Sequence, residues 1–186
     1  NLDVITEAET IQMHGGLSQD LKRLSHAVYM CELLDSFSAE RSPNYQLYRL
    51  TTSALGWLET TDDPWLLVRY FETQLLDLSG FKPELRRCVE CRRELAPGDH
   101  VFDIGSGGVL CPDCRSLGAD LLLPLRLGSM KVFRLLQREP DFARVGASRT
   151  SAPVRSEIER VLTEHLRYVL ERRLKSADFV RLVSRL

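Results

Sequence analysis

Four of the five cysteines occur as two Cys-x2-Cys pairs, and this feature constrains the fold more than any other in the 186-residue chain. Cys88 pairs with Cys91, Cys111 pairs with Cys114, and 19 residues separate the two pairs. Two thiolates in one tight turn can reach the same ion at about 2.3 Å, and two such turns complete a tetrahedron. The separation lies within the ~15–20 residues typical of zinc sites of this type, so the spacing predicts one zinc ion held by all four cysteines.

Other uses of four cysteines fit the chain less well. Two disulfides would suit a secreted protein, but no secretory leader opens the chain and its length does not require them. A redox-active Cys-x2-Cys pair would need a βαβ setting, which the flanking pattern lacks. An iron–sulfur cluster also uses four cysteines, and spacing alone leaves it open. Because four thiolates fill the shell of a zinc ion, we expect the ion to be structural and not catalytic.

The pattern around the cysteines predicts helices interrupted by a small insert. On both sides, apolar residues recur every three or four positions, which is typical of amphipathic helices. Between them, Gly105-Ser106-Gly107-Gly108 predicts a tight turn joining short strands at 101–104 and 109–110. We therefore expect a mainly α protein, a helical domain with an inserted four-cysteine hairpin. The expected boundaries are 1–10 for a remnant of a preceding strand or linker, 11–85 for the first helical part, 86–116 for the insert and 117–186 for the second helical part.

Capping residues predict where the helices of the first part begin and end. Ser42-Pro43 and Asp63-Pro64 indicate the starts of the second and third helices, and Ser79-Gly80 indicates the end of the third. We expect Cys31 to be a small core residue on the apolar stripe of the first helix. That stripe is predicted to comprise Leu17, Leu21, Leu24, Val28, Cys31 and Leu34.

In the second helical part, the sequence predicts a loop between two helical stretches. Residues 139–150 carry Pro, Gly and polar residues typical of a connection. A long helix is expected from about Pro153, and Ser176 is expected to cap a last short helix. The longest apolar run, 121–125, is far too short to span a bilayer.

Charge divides the chain, although its net charge is only −1. The first 80 residues are acidic and residues 144–186 are basic. This asymmetry permits contact with nucleic acid, but it is equally typical of solvated helix faces.

The four histidines form no catalytic constellation that we recognise, and His100 is not followed by the Glu of a zinc deaminase. The glycine-rich turn lacks the Gly-Lys-Ser/Thr of a phosphate loop. The sequence therefore predicts a protein that is not an enzyme.

The cysteine segment and its flanks carry a resemblance to a known family. Leu75-Leu76-Asp77-Leu78-Ser79-Gly80-Phe81-Lys82-Pro83-Glu84-Leu85 runs into the first cysteine pair, and Gly107-Gly108-Val109-Leu110 runs into the second. These stretches resemble the zinc-bearing form of the bacterial DNA repair proteins called RecO. Arg69-Tyr70-Phe71-Glu72 and Leu174-Lys175-Ser176 also resemble family segments, and the likeness extends over most of the chain. One departure is Arg92, where many members carry Gly.

The resemblance implies a recombination mediator without catalysis. RecO proteins have an N-terminal OB-fold domain before the helical domain, which this chain would lack. They bind single- and double-stranded DNA, anneal complementary strands and, with RecR, help load RecA onto strands coated with single-strand-binding protein. They also bind the acidic C-terminal tail of that protein, a role that family position would give to Arg69 and Phe71, although core packing explains Phe71 equally well. The resemblance further implies a cytoplasmic, nucleoid-associated bacterial protein.

Phosphate neutralisation by Lys and Arg would be the physical basis of strand annealing. The candidate DNA-binding residues cluster around the first cysteine pair and near the C-terminus. They are Arg86, Arg87, Arg92, Arg93, Arg155, Arg172, Arg173, Lys175 and Arg181. The alternative hypothesis is a zinc-stabilised helical scaffold that binds only protein, and a metal hydrolase is a weaker third.

Overall fold

The computed structural model describes residues 6–38, 43–115, 121–146 and 148–184. Within these ranges the chain is mainly helical with one small antiparallel sheet, so the predicted fold class is confirmed. The expected strand at Leu2–Ile5 lies outside the described residues. The helices are α1 (Leu21–Phe37), α2 (Tyr45–Thr60), α3 (Pro64–Leu78), α4 (Leu127–Arg138), α5 (Phe142–Val145), α6 (Ala152–Leu170) and α7 (Lys175–Val183), and the strands are β1 (His100–Asp103), β2 (Gly108–Leu110) and β3 (Leu122–Leu125).

α3 is the central helix of the core, and its ends follow the sequence prediction. Asp63 caps its start by accepting the Leu66 N–H at 3.1 Å, with Pro64 in the first turn. Gly80 follows the helix with a φ of 83°, a conformation that glycine adopts without strain. Nearly every side chain between these ends is buried, against α1, α2, α4 and α6. No helix of the described residues is long and apolar enough to cross a membrane.

α2 begins later than predicted. Its first residue is Tyr45, and Asn44 caps it by accepting the Leu47 N–H at 3.1 Å. Pro43 therefore precedes the helix and does not occupy its first turn, while Ser42 lies outside the described residues. The Asn44 side chain supplies an acceptor as good as serine, and its position decides the boundary.

α1 buries a different face from the one predicted. Tyr29, Met30 and Leu33 point into the core, whereas Leu21, Leu24, Val28 and Cys31 are exposed. The prediction that Cys31 is a core residue is therefore wrong. Both faces of α1 are apolar, so spacing alone could not show which of them packs against α3.

The sheet has the order β2-β1-β3, with both pairs antiparallel. The predicted hairpin is confirmed, since Phe102 lies opposite Val109 across it. β3 was not predicted, and it pairs with β1 along residues that the sequence interpretation assigned to the second helical part. Pro124 is tolerated in β3 because this is an edge strand, where a missing backbone donor can face away from the sheet.

Apart from β3, the second helical part follows the prediction except in two places. α6 is the long predicted helix, with Ile158, Val161 and Leu162 buried. The expected loop 139–150 contains α5, a single turn of helix that buries Phe142 and Val145. The other difference concerns α7, which begins before Ser176.

Ser176 is not the cap of α7, because it lies inside the helix. The Glu32 carboxylate of α1 takes that role, accepting the Lys175 N–H at 3.0 Å and the Ser176 N–H at 2.8 Å. The Ser176 hydroxyl also donates to Glu32. A carboxylate at a helix N-terminus satisfies free donors and favours the helix dipole, so Glu32 ties α7 to α1.

Candidate functional site

Each cysteine pair lies in a tight turn that the sheet brings close to the other pair. The first turn is closed by the Cys88 N–H, which donates to the Arg93 carbonyl at 2.8 Å, and by the Arg92 N–H, which donates to the Cys88 carbonyl at 2.9 Å. The second follows β2 directly, and the Cys114 N–H donates to the Cys111 carbonyl at 3.1 Å. The Val89 N–H of the first turn donates to the Val109 carbonyl of β2 at 3.0 Å, and this pairing brings the first turn beside the second.

The four sulfurs form a cluster of the size that one metal ion needs. All lie within 4.8 Å of one another, and the Sγ atoms of Cys91 and Cys111 are 3.8 Å apart. A tetrahedron with metal–sulfur bonds of about 2.3 Å has edges of about 3.8 Å. All four thiols are free, and a separation of 3.8 Å far exceeds the length of a disulfide bond, about 2.05 Å. The four sulfurs are therefore close enough together to hold one metal ion.

Hydrogen bonds from the protein to the sulfurs favour the thiolate form. The backbone N–H of Cys111 donates to Cys88 Sγ and the Arg93 side chain donates to Cys91 Sγ, both at 3.4 Å. The bond from Arg93 lowers the pKa of the Cys91 thiol to about 6. Burial and the neighbouring sulfurs raise the pKa of Cys114 to about 12, as expected where four thiolates would repel one another without a cation. The four cysteine sulfurs are thus suited to bind a cation.

The chemistry open to this cluster is limited. Four sulfurs complete a tetrahedral shell, which leaves no position for an activated water or a substrate. Cys88 and Cys114 are buried, and the insert around them joins the main hydrophobic core through Leu85, Phe102 and Val109. An ion here would hold the two turns together and fix the hairpin on the helical body.

The predicted arginines near the cysteines lie on the surface. Arg86, Arg87, Arg92 and Arg93 are all exposed. Arg93 pairs with Asp113 at 2.8 Å in addition to its bond to Cys91, so it links the two cysteine turns. None of the four lines the grooves described below.

Arg155 is engaged within the fold. Its guanidinium pairs with Asp63 at the start of α3, donates to Thr150 and lies 4.7 Å from the centre of the Trp65 ring. It therefore joins α6 to α3, and the structure gives it a stabilising role in place of free positive charge. Lys175 and Arg181 are exposed on α7, where Arg181 pairs with Asp178 at 3.2 Å.

Other arginines near the C-terminus converge on two adjoining grooves. Both grooves are bordered by Arg167, Arg172 and Arg173, which we call the basic ridge. On one side is the hairpin groove, an open cleft of about 920 Å³. It runs between the turn after α3, the β1–β2 turn and the end of α6. Its lining includes Phe81, Lys82, Gly105, Tyr168, Arg172 and Arg173.

On the other side of the basic ridge is a smaller cavity of about 230 Å³, which we call the α7 pocket. Part of its lining is apolar, and Arg69 of α3 also lines it. The Arg69 side chain is only 8% exposed, and its Nη2 atom pairs with Glu72 at 2.8 Å. The buried Nε atom of Arg69 has no partner in the described residues. Glu159 and Glu164 add negative charge to the wall. The lining includes Tyr29, Arg69, Leu166, Leu174, Ala177 and Arg181.

Phe71 does not reach the α7 pocket or the surface. It is completely buried on the face of α3 that packs into the core. The predicted contact between a partner and Phe71 is therefore corrected, because no surface of this side chain is accessible. Arg69 is the member of the predicted pair that lines a cavity.

Comparison with known proteins identifies the family. The family model described as "Recombination protein O C terminal" matches residues 18–178. The DNA repair protein RecO of Dehalococcoides mccartyi (strain ATCC BAA-2266 / KCTC 15142 / 195) is 34% identical over 184 residues, 99% of this chain and 72% of that protein. The DNA repair protein RecO of Symbiobacterium thermophilum is 36% identical over 183 residues, 97% of this chain and 72% of that protein. The DNA repair protein RecO of Desulforamulus reducens is 33% identical over 179 residues, 96% of this chain and 69% of that protein.

The chain belongs to the RecO family. The matched region contains both cysteine pairs and all of the basic ridge, and the predicted resemblance is confirmed. The family link assigns the protein to DNA repair.

Within the RecO family, the departure at Arg92 has a structural consequence. Arg92 adopts a φ of 61°, in the left-handed region that glycine favours. The first cysteine turn thus keeps the shape that a glycine would allow, with an arginine in its place.

Sequence reasoning missed most of the hairpin groove, including Phe81, Lys82, Arg167 and Tyr168. The first two lie in the turn after α3 and the last two at the end of α6, and only the packing of the fold brings them together. The adjacent Arg167-Tyr168 at the exposed end of α6 was the one available signal.

Proposed function

We propose that this RecO-family protein is a non-catalytic recombination mediator. In this role it binds single- and double-stranded DNA, promotes strand annealing and, together with RecR, assists the loading of RecA onto strands coated with single-strand-binding protein. The observation that carries the proposal is the convergence of the basic ridge on two grooves. Neutralising phosphate charge by arginine releases counterions and lets two strands approach without any bond chemistry.

The α7 pocket supports a second part of this proposal, binding of the acidic tail of single-strand-binding protein. An acidic peptide with an apolar C-terminal residue needs a cation beside an apolar cavity. Arg69 is buried at the cavity, Leu174 and Ala177 supply apolar surface, and the basic ridge lies at the rim. The rim would attract the acidic residues, while Arg69 would face the terminal carboxylate.

We further propose that the four cysteines hold one zinc ion with a structural role. Thiolates are soft ligands that select zinc over magnesium or calcium, and a closed tetrahedral site is typical of structural zinc. Zinc would supply the positive charge that the clustered sulfurs need. The chain's own contribution is to orient the sulfurs through the Cys111 N–H and the Arg93 side chain.

Binding assays on the zinc-loaded chain test the DNA part of the proposal. Fluorescence anisotropy with labelled single strands and duplexes should give affinities that fall steeply with added salt. Arg172→Gln with Arg173→Gln should weaken binding, and Lys22→Gln, an exposed cation on α1, should not. Absence of DNA binding at low salt would instead favour the protein-only scaffold.

Two further variants test the proposed binding of the acidic tail of single-strand-binding protein. Ala177→Phe should fill the α7 pocket and abolish binding of an acidic peptide with an apolar C-terminal residue, while leaving DNA affinity unchanged. Arg181→Gln, at the exposed rim, should weaken the same interaction without a buried substitution. Peptide affinity that survives both changes would remove the α7 pocket from the proposal.

A further inference from the structure

The hairpin groove presents two aromatic rings to solvent. Phe81 is 47% exposed and Tyr168 is 56% exposed, and both line the same cleft. Phe81 also packs edge-on against Phe37, with ring centres 6.1 Å apart. Single exposed aromatics are ordinary, but two on one concave surface form a platform for a flat, apolar ligand group.

The walls of this groove are held in place from beneath. His165 of α6 is buried, with its Nε2 atom 3.3 Å from the Phe81 carbonyl oxygen. Its ring meets Phe102 of β1 edge-on at 5.6 Å between centres. These contacts join α6, the turn after α3 and the hairpin, so the two exposed rings are carried by connected elements.

Positive charge surrounds the rings. The lining contains four cations, Lys82 and the three arginines of the basic ridge, against the single carboxylate of Glu171. Lys82 and Arg167 already have acidic partners, at 2.5 Å and 3.3 Å. Arg172 donates to the Ser36 hydroxyl at 2.6 Å, and its charge also acts on the Glu32 carboxylate, but neither Arg172 nor Arg173 forms an ion pair among the described residues. These two arginines are therefore the ones whose charge a ligand can neutralise.

We propose that the hairpin groove binds unpaired nucleotides of a single-stranded nucleic acid, with bases stacked on Phe81 and Tyr168 and phosphates beside Arg172 and Arg173. Stackable aromatics in a basic groove are the combination by which proteins bind single strands without reading sequence. In a duplex the bases are already stacked and cannot reach the rings, so the groove distinguishes single strands from duplexes. This inference rests on the proposed DNA binding and locates it.

The test uses the zinc-loaded chain and a fluorescein-labelled oligo(dT), with Kd measured over a range of salt. Tyr168→Ala should raise Kd by roughly tenfold, the scale of base stacking on one aromatic ring, and Tyr168→Phe should restore affinity. Phe81→Leu keeps the packing against Phe37 and should also weaken binding. Arg172→Gln with Arg173→Gln should reduce the slope of log Kd against log salt concentration by about 1.4, since each single-strand phosphate contact contributes about 0.7 to that slope.

Tyr48→Ala is the matched control, because Tyr48 is 54% exposed on α2 outside the groove, and its Kd should not change. Photo-crosslinking from an iodouracil-containing strand should label peptides containing Phe81 or Tyr168. If the chain binds oligo(dT) and the Phe81 and Tyr168 variants bind equally well, the groove inference fails and the proposed function stands. If the groove variants lose only acidic-peptide binding, the groove is a peptide site and the inference fails. If the chain binds no DNA at low salt, both fail.

Discussion

Arg92 is one of three residues with a Cβ atom that adopt a positive φ among the described residues. Its φ of 61° costs a residue with a Cβ atom about 1–2 kcal/mol relative to the right-handed region. The turn tolerates this because the Arg92 N–H donates to the Cys88 carbonyl within the first cysteine pair. The strain is therefore stored next to the four-cysteine cluster.

Arg92→Gly should stabilise the protein. Removal of the left-handed strain should favour the folded state by about 1–2 kcal/mol, and the greater conformational entropy that glycine gives the unfolded chain should offset about 0.4–1 kcal/mol of this gain. Denaturant melts of the metal-loaded protein measure the change. Arg87→Gly is the control, since Arg87 is exposed without positive φ and should lose stability or stay unchanged. Equal effects of both changes would show that Arg92 is unstrained.

His26 gives the stability a pH dependence. Burial, with a smaller contribution from the charge of Arg69, lowers its pKa from 6.5 to about 4 in the folded protein. The folded state keeps His26 neutral where the unfolded chain already binds a proton, so stability is complete above pH 6.5 and falls as the pH drops toward 4.

His26→Gln should reduce this acid sensitivity. Between pH 7 and 4.5 the wild type should lose about 2 kcal/mol more of its unfolding free energy than the variant. Denaturant melts at the two pH values measure this loss in each protein. Other acid-sensitive groups, such as the cysteines, contribute equally to both losses and so cancel when the two are subtracted. Identical losses in both proteins would mean that His26 titrates normally.

At the scale of elements, the sequence predicted correctly those helix ends and turns that are determined by residues adjacent in the chain. Asp63-Pro64 and Ser79-Gly80 predicted α3 because the capping groups are adjacent in sequence, and the glycine-rich turn predicted the β1–β2 hairpin. β3 was missed because its strand character comes from pairing with β1. The start of α7 was missed because its cap, Glu32, comes from α1, 143 residues away from Lys175.

Gly108 controls how closely the hairpin approaches the first cysteine turn. A Cβ atom there would lie 2.8 Å from the Glu84 carbonyl oxygen and 2.5 Å from a Val89 methyl carbon. Backbone bonds on both sides of this contact, Val109 N–H to Glu84 at 2.9 Å and Val89 N–H to Val109 at 3.0 Å, hold it fixed. The contact has no room for a side chain.

Gly108→Ala should therefore destabilise the insert by about 1–3 kcal/mol, the usual cost of overpacking, and weaken metal retention. Competition with a chromogenic chelator measures retention, and thermal melting measures stability. Gly98→Ala is the matched control, because a Cβ atom there meets nothing within 4 Å. Retention that is equal in the two variants would contradict the close approach.

At the scale of the whole molecule, the four-cysteine cluster could be predicted from sequence and the grooves could not. The cysteine spacing specifies all four members of the cluster, since each pair is local and only one hairpin is needed to join them. The hairpin groove needs α6, the turn after α3 and the hairpin together, so the sequence could supply Arg172 and Arg173 but not their neighbours Lys82 and Tyr168. Phe71 shows the opposite error, because family position suggested a contact that burial prevents.

The central claim is that the four sulfurs close over one zinc ion that fixes the insert on the helical body. X-ray absorption spectroscopy at the zinc edge, with metal content by mass spectrometry on the same sample, tests it directly. The account predicts one zinc per chain with four sulfur neighbours at about 2.3 Å and no lighter ligand. A nitrogen or oxygen ligand in the shell, iron in place of zinc, or a folded protein with no bound metal would contradict it.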